Sequence, residues 1–204
     1  DQPKNFLTHI VSLGATKTAD GLIDPKLVLS WLLTQLGAPA VFIGLLVPVR
    51  ESGALLPQLL TAASLRRLSK RKWAWCAGSA IQGLSAAAIA LAALFLEGAA
   101  AGFAIVLALG VLALARSVCS VTYKDVLGKT VSKARRGTAT GTASSTAALF
   151  VIFFGTILTT GEMERMPVVI AGLFVAAGLW LIASVLFSTL QEEAGATEGG
   201  ANPL

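Results

Sequence analysis

The sequence predicts an all-α, polytopic membrane protein with six transmembrane helices. Three observations carry that prediction. Of the 204 residues, 55% are hydrophobic and 13% are charged, whereas soluble domains carry roughly 25% charged residues. The apolar residues come in blocks of about twenty, the length that crosses a hydrocarbon core at about 1.5 Å per residue. Lys and Arg gather in alternate gaps between blocks, as cytoplasmic loops do. A soluble enzyme and a disordered chain are excluded. The formal charge of +5 reflects basic residues flanking the spans, so no nucleic-acid partner is expected and the lipid bilayer is.

Residues 1–26 form a cytoplasmic N-terminal segment. Phe6, Leu7, Ile10, Val11 and Leu13 recur at helical spacing, which predicts a short amphipathic helix on the membrane surface. Asp24-Pro25 reads as an N-cap followed by the first helical position. A bundle of six spans over 27–190 follows. The first runs from about Leu27 to Leu46, with Gly37 and Pro39 inside it. The second runs from about Pro48 to Leu65, after a tight turn over Val47–Ser52. It leads into Arg66, Arg67, Lys70, Arg71 and Lys72. Trp73 to Leu96 is the third span, and Glu97-Gly98 turns it into the fourth, Gly102 to Tyr123. The loop Lys124–Gly137 is basic. The fifth span is Thr138 to Thr160, and the sixth runs from Pro167 to Leu190 after the turn Gly161–Met166. Residues 191–204, acidic and rich in Gly and Ala, read as a flexible cytoplasmic tail or linker. Asp1 in place of Met reads as the mark of a fragment or a trimmed product.

A five-span alternative would make 47–65 re-entrant and put the two basic clusters on opposite sides, against the positive-inside rule. With six spans, thirteen Lys and Arg fall inside, Arg50 and Arg165 fall outside, and Arg116 lies within a span. Both termini are therefore expected in the cytoplasm and the chain in a cytoplasmic (inner) membrane.

Polar side chains in the spans are the functional candidates. Arg116, seven residues before Tyr123, is placed about 10 Å from the inner end of its helix. It reads either as a snorkelling anchor or as a residue facing a polar interior. Arg50 and Glu51 open the second span, and neighbours in sequence point apart on a helix. Glu51, the one acid placed within a span, is the candidate proton carrier, with an interfacial charge as the bland reading. A vertical gap of about 12 Å argues against a Glu51–Arg116 bridge. Gln35, Gln58 and Gln82 fall in the first three spans and either line a solute path or join helices by hydrogen bonds. Gly137 and Gly141 form a G-x-x-x-G face suited to close helix packing. Pro39 and Pro57 should kink their spans.

Several chemistries find no support. One His (His9) and two Cys (Cys76 and Cys119, both in apolar blocks) make neither a metal site nor a disulfide framework. Gly128-Lys129-Thr130 lacks the first glycine of a phosphate loop, Tyr123 standing in its place. No hydrolase motif is present, so no cofactor and no enzyme activity are expected.

The layout resembles the N-terminal six-helix half of a major facilitator superfamily transporter. The segment Ala62-Ala63-Ser64-Leu65-Arg66-Arg67-Leu68-Ser69-Lys70-Arg71-Lys72 is similar to the family's Gly-x-x-x-Asp-Arg-x-Gly-Arg-Arg/Lys. Arg67, Lys70 and Arg71 match its basic positions. Ala62 and Ser69 replace the glycines, and Arg66 stands at the usual Asp, so the gate contact of that Asp does not carry over. Arg116 matches the span-four Arg, with Ser120 in place of the following Gly. The run Lys124–Thr130 with Arg135-Arg136-Gly137 is similar to the next inner loop of bacterial members. The resemblance implies secondary transport of a small-molecule solute by alternating access, coupled to a proton or other ion. It implies a complementary C-terminal six-helix half, in the same polypeptide or a second chain, and an isolated half that moves nothing. Arg67, Lys70, Arg71, Asp125, Arg136 and Gly137, with Arg116, are then the inner-gate candidates. A non-transporting membrane scaffold and a lipid-modifying membrane enzyme are the alternatives.

Overall fold

The computed structural model describes residues 2–66, 68–161 and 164–195, with side chains over the same ranges apart from Gln2 and residues 56–66. The elements are α1 (Gln2–Leu22), a π-helical turn (Pro25–Leu29), α2 (Ser30–Gln35), α3 (Ala40–Arg66), α4 (Lys72–Phe95), α5 (Gly98–Thr130), α6 (Lys133–Thr160) and α7 (Arg165–Ser188). Among the described residues there is no strand. Four of the helices, α4 to α7, are long and apolar enough to cross a membrane. The chain is an all-helical protein with the composition of a membrane-embedded bundle.

The N-terminal segment departs from expectation. Instead of lying apart on a surface, α1 packs between α6 and α7. Its buried residues are Asn5, His9, Ser12, Gly14, Thr18, Ala19 and Leu22, while Leu7 and Val11 are exposed and Phe6, Ile10 and Leu13 are half-buried. From Asn5 to Ala19 the fully buried residues are thus small or polar, unlike those of a soluble amphipathic helix. Close approach explains the choice of small residues, with Gly14 against the Ala143 backbone and Gly21 against Val151. The buried hydroxyl of Thr18 is satisfied locally, donating to the Gly14 carbonyl at 2.8 Å, as buried polar groups require.

Asp24-Pro25 does start a helix, but in the middle of a rod. The Asp24 carboxylate accepts from the amides of Lys26 and Leu27, both at 2.9 Å. Pro25 cannot donate, and the ladder resumes with Val28 and Leu29 donating to the Asp24 carbonyl. The rod ends at Gly37, whose φ of +68° is a left-handed helix stop that glycine adopts freely. Pro39 follows two residues later and prevents continuation. The first turn thus falls at Gly37–Pro39 and not at Val47–Ser52. Helix α3 passes unbroken through Pro48 and Pro57. The basic loop after α5 shrinks likewise, because α5 continues to Thr130 and α6 begins at Lys133.

Side-chain contacts fix the direction of each helix. Asn5 donates to the Gln191 carbonyl and accepts from the Gln191 amide, at 3.3 and 3.2 Å, so α1 begins where α7 ends. The Gly98 amide donates to the Leu36 carbonyl at 2.7 Å, so the chain after α2 reaches the opposite end, where α5 begins. Phe42 lies on Gly102, Val49 on Gly110 and Ala113 on Gly53, making α3 and α5 parallel. Gly78 lies on Ala115 and Cys119, and Gly83 on Ala177 and Leu181, so α4 is antiparallel to α5 and α7. Val151 on Gly21 makes α1 parallel to α6.

This packing repeats. The main partners are α1 with α6 and α7, α5 with α3 and α4, and α4 with α7. Exchanging α1–α2, α3 and α4 for α5, α6 and α7 maps that pattern onto itself. The two sets run in opposite senses, since α1 starts at the Thr130 end and α5 at the Gly98 end. The bundle is an inverted three-plus-three arrangement. Its main core includes Ile23, Leu32, Ile89, Leu109, Leu173 and Trp180. A smaller aromatic core fills the Thr130 end, where Trp75 stacks on Phe187 with ring centres 3.9 Å apart.

Candidate functional site

The most unusual chemistry in the bundle is a carboxylate, near the middle of the rod formed by α1 and α2, shared by two arginines of α3 and α5. Asp20 is the eighteenth residue beyond the start of α1, about 27 Å along it. Its Oδ1 accepts from Arg50 Nη2 of α3 at 3.0 Å and also pairs with Arg116 Nη1 of α5. The contacts above set Arg50 level with about residue 111 of α5, so Arg116 lies some 7 Å below it. Asp20 spans that gap. The continuation of α5 to Thr130 puts Arg116 about 21 Å from that end of its helix, twice the depth expected from sequence. The side chains are 11% exposed for Arg50, 22% for Asp20 and 38% for Arg116. Charges at such depth are costly to place against lipid, so this cluster must face protein or water.

A cavity of about 200 Å³ opens beside the cluster. From α1 it is lined by Leu13, Thr16, Lys17 and Asp20, and from α5 by Arg116, Cys119, Ser120, Tyr123 and Lys124. Trp75, Gln82 and Trp180 close its back. Gln82 is buried and donates to the Gly78 carbonyl and to Cys119 Sγ, each at 3.3 Å. Lys17 and Lys124 are exposed at the rim. Such a cavity offers cations, one carboxylate, hydroxyl and amide groups and aromatic walls.

A second ionic network closes the Thr130 end. Asp125 pairs with Arg71 and, at 3.2 Å, with Lys129. Lys129 also pairs with Glu192 at 3.0 Å. The Glu192 side chain is fully buried and accepts from the amides of Arg71 and Lys72 at 3.0 and 2.8 Å, capping the start of α4. Lys72 Nζ donates to the carbonyls of Ser188 and Leu190 at 2.8 and 2.6 Å, closing the end of α7. The start of the expected flexible tail is therefore docked. Residues 196–204 lie outside the described residues.

The sequence candidates are dispersed. Arg50 and Arg116 meet on Asp20, and Gln82 borders the same cavity. Glu51 is exposed on α3, and no ion pair joins it to Arg116 or to any other described residue. Gln35 is exposed at the end of α2. The Gln58 side chain and Arg67 lie outside the described residues. Lys70 is exposed, and Arg71 and Asp125 join the end network and not Arg116. Arg136 donates to the carbonyls of Val131 and Gly128 at 2.9 and 2.6 Å. Gly137 and Gly141 have no neighbour within 4 Å of a built Cβ. Both cysteines are free and buried. No metal-binding group occurs among the described residues.

Sequence reasoning missed Asp20, Lys17 and Glu192. Placing the first span at Leu27 put Asp20 outside the membrane. The available signal was that Asp-Pro can restart a helix within a kinked rod as well as begin one. The chain matches no protein-family model, no curated protein and no solved structure.

Proposed function

We propose that the chain is one six-span half of a secondary transporter of the major facilitator type, moving a small solute through a membrane by alternating access. The observation that carries the reading is the inverted three-plus-three packing with an ionic cluster at its mid-depth. Inverted repeats with midplane sites are a recurrent architecture of secondary transporters. In this reading α1 with α2 forms the first span and α3 the second, and the Thr130 end is cytoplasmic.

The exposed faces support it. Exposed residues of α4 and α7 include Ile81, Leu84, Leu91, Ile182 and Val185, all apolar and fit for lipid. α1 and α5 also expose apolar residues, Leu7, Val11, Leu107 and Leu114 among them, but Lys17 and Lys124 are exposed beside the cavity, so that stretch suits an aqueous cleft shared with a complementary half. Asp20 is the coupling carboxylate in this scheme, in place of Glu51. Exchange of Arg116 away from Asp20 would link ion binding to the shape of the cleft. The ion is a proton, and the chain carries out no covalent chemistry.

Topology and transport test the proposal together. Cysteines introduced singly at Ser69, Ser132 and Glu193, in a background lacking Cys76 and Cys119, should react from one side of the membrane. Those at Gly98 and Glu164 should react from the other. The protein containing both halves, reconstituted in proteoliposomes, should accumulate solute under an imposed pH gradient. Asp20→Asn should abolish accumulation yet keep solute exchange. Labelling of Ser69 and Gly98 from the same side would overturn the reading.

A further inference from the structure

We propose that the solute is a small organic anion whose carboxylate is held by Arg116 in the cavity between α1 and α5. The inference rests on the transporter reading and adds the substrate class to it.

The lining is unbalanced in charge. Arg116, Lys17 and Lys124 border the cavity against a single acid, Asp20. Arg50 binds the same acid from behind. Among the described residues neither Lys17 nor Lys124 pairs with a carboxylate, so Asp20 is left to neutralise one of several cations. A concave site with low-dielectric walls and one dominant sign of charge concentrates ions of the opposite sign.

The spacing orders those cations. Arg116, Ser120 and Lys124 are four residues apart and form one stripe along α5. Leu13, Thr16, Lys17 and Asp20 form the facing stripe on α1. Lys124 lies about 12 Å nearer the Thr130 end than Arg116, and Lys17 is about level with Arg116 across the cavity. An anion entering from that end meets Lys124 first and then the pair Lys17 and Arg116. Arg116 already holds a carboxylate in this structure, that of Asp20. The planar guanidinium fork suits carboxylates generally, so a solute carboxylate would take over the position as Asp20 lets go. The remaining wall is Ser120, Gln82 and Tyr123 for hydrogen bonds and Trp75 and Trp180 for apolar contact. A cavity of about 200 Å³ on this half suits an acid of a few carbons. A cationic solute would have to displace Arg50 or Arg116 to reach the one acid, which is already doubly paired.

The test uses the protein with both halves in proteoliposomes. Acetate, lactate, succinate and citrate are compared with lactamide, glycerol and choline. At least one carboxylate should be taken up, and should exceed the neutral and cationic probes by roughly tenfold or more. Arg116→Gln should abolish that uptake, and Arg116→Lys should restore part of it. Lys124→Gln, a change at an exposed position, should raise KM with kcat largely kept. Uptake of glycerol or choline without any carboxylate would overturn the anion assignment and leave the transporter reading standing. Carboxylate uptake indifferent to both Arg116→Gln and Lys124→Gln would overturn the site. Movement of none of the probes, with labelling that also contradicts the six-span topology, would remove both.

Discussion

Two carboxylates in this bundle each sit between two cations, and the resemblance ends there. Asp125, at the Thr130 end, pairs with Arg71 and Lys129, and a second acid, Glu192, completes the set. Among the described residues these pairs bring together two cations and two acids. Backbone amides at the start of α4 and carbonyls at the end of α7 take up the remaining hydrogen bonds. Asp20, at mid-length of the α1–α2 rod, pairs with Arg50 and Arg116, and among the described residues no second acid pairs with either. One negative charge faces two positive ones, beside a cavity. The first network ties chain ends together. The second has charge left over and space next to it, which is what a group that exchanges partners requires.

The sharpest way to break this comparison is Asp20→Ala. It leaves Arg50, 11% exposed, without its carboxylate. Stranding a buried charge costs about 3–5 kcal/mol, so thermal unfolding of the detergent-solubilised protein should move down by many degrees. Asp20→Leu combined with Arg50→Met removes both charges and should recover most of that stability, since a well-packed apolar pair replaces a buried ion pair at little cost. The double variant should still fail to accumulate solute. A double variant as unstable as Asp20→Ala would mean that the cluster holds the fold together, as the end network does.

Glu192→Gln addresses the other side. It deletes the ion pair to Lys129 and replaces a charged cap of α4 by a neutral one. Hydrogen bonds to charged groups contribute about 1.5–3 kcal/mol each, and Lys129 retains Asp125, so a loss of about 2 kcal/mol is expected in the same unfolding assay. Solute uptake per folded molecule should not change. If uptake falls while stability holds, the end network moves during transport and the contrast with Asp20 disappears.

The sequence disclosed these two regions unequally. Helices α4 to α7 were legible, because uniformly apolar blocks with Glu97-Gly98 and Gly161 between them admit little else. The cost of an arginine in a span pointed to a polar setting for Arg116, but its depth was put at half the observed value and its partners at the inner loops rather than at Asp20. The first two rods were not. In α1 the fully buried residues include Asn5, His9, Ser12 and Ala19, so apolar periodicity did not point to them. In α3, Pro48 and Gly53 read as a turn, although Gly37 followed by Pro39 was the stronger stop. That shift of boundaries hid Asp20 and promoted Glu51. Glu192 was hidden for a different reason. Its burial depends on amides and Lys129 from helices more than sixty residues away, and a Gly- and Ala-rich context carries no trace of them.

The smallest expected effect concerns glycines on covered and uncovered helices. Gly78 lies in the tight α4–α5 seam, where a Cβ would stand 2.7 Å from Cys119 Sγ and 3.0 Å from the Ala115 carbonyl. Gly141 lies on α6, where a Cβ would meet nothing within 4 Å. Gly78→Ala should destabilise by about 1–3 kcal/mol through overpacking. Gly141→Ala should instead stabilise the chain alone by about 0.5–1 kcal/mol, because alanine loses less backbone freedom in a helix. In the protein with both halves the sign at Gly141 becomes diagnostic. A complementary half seated on the small-residue face around Gly137 and Gly141 would turn the gain into a loss. A gain of equal size in both backgrounds would show that this face of α6 meets lipid, and that the second wall of the cleft lies elsewhere.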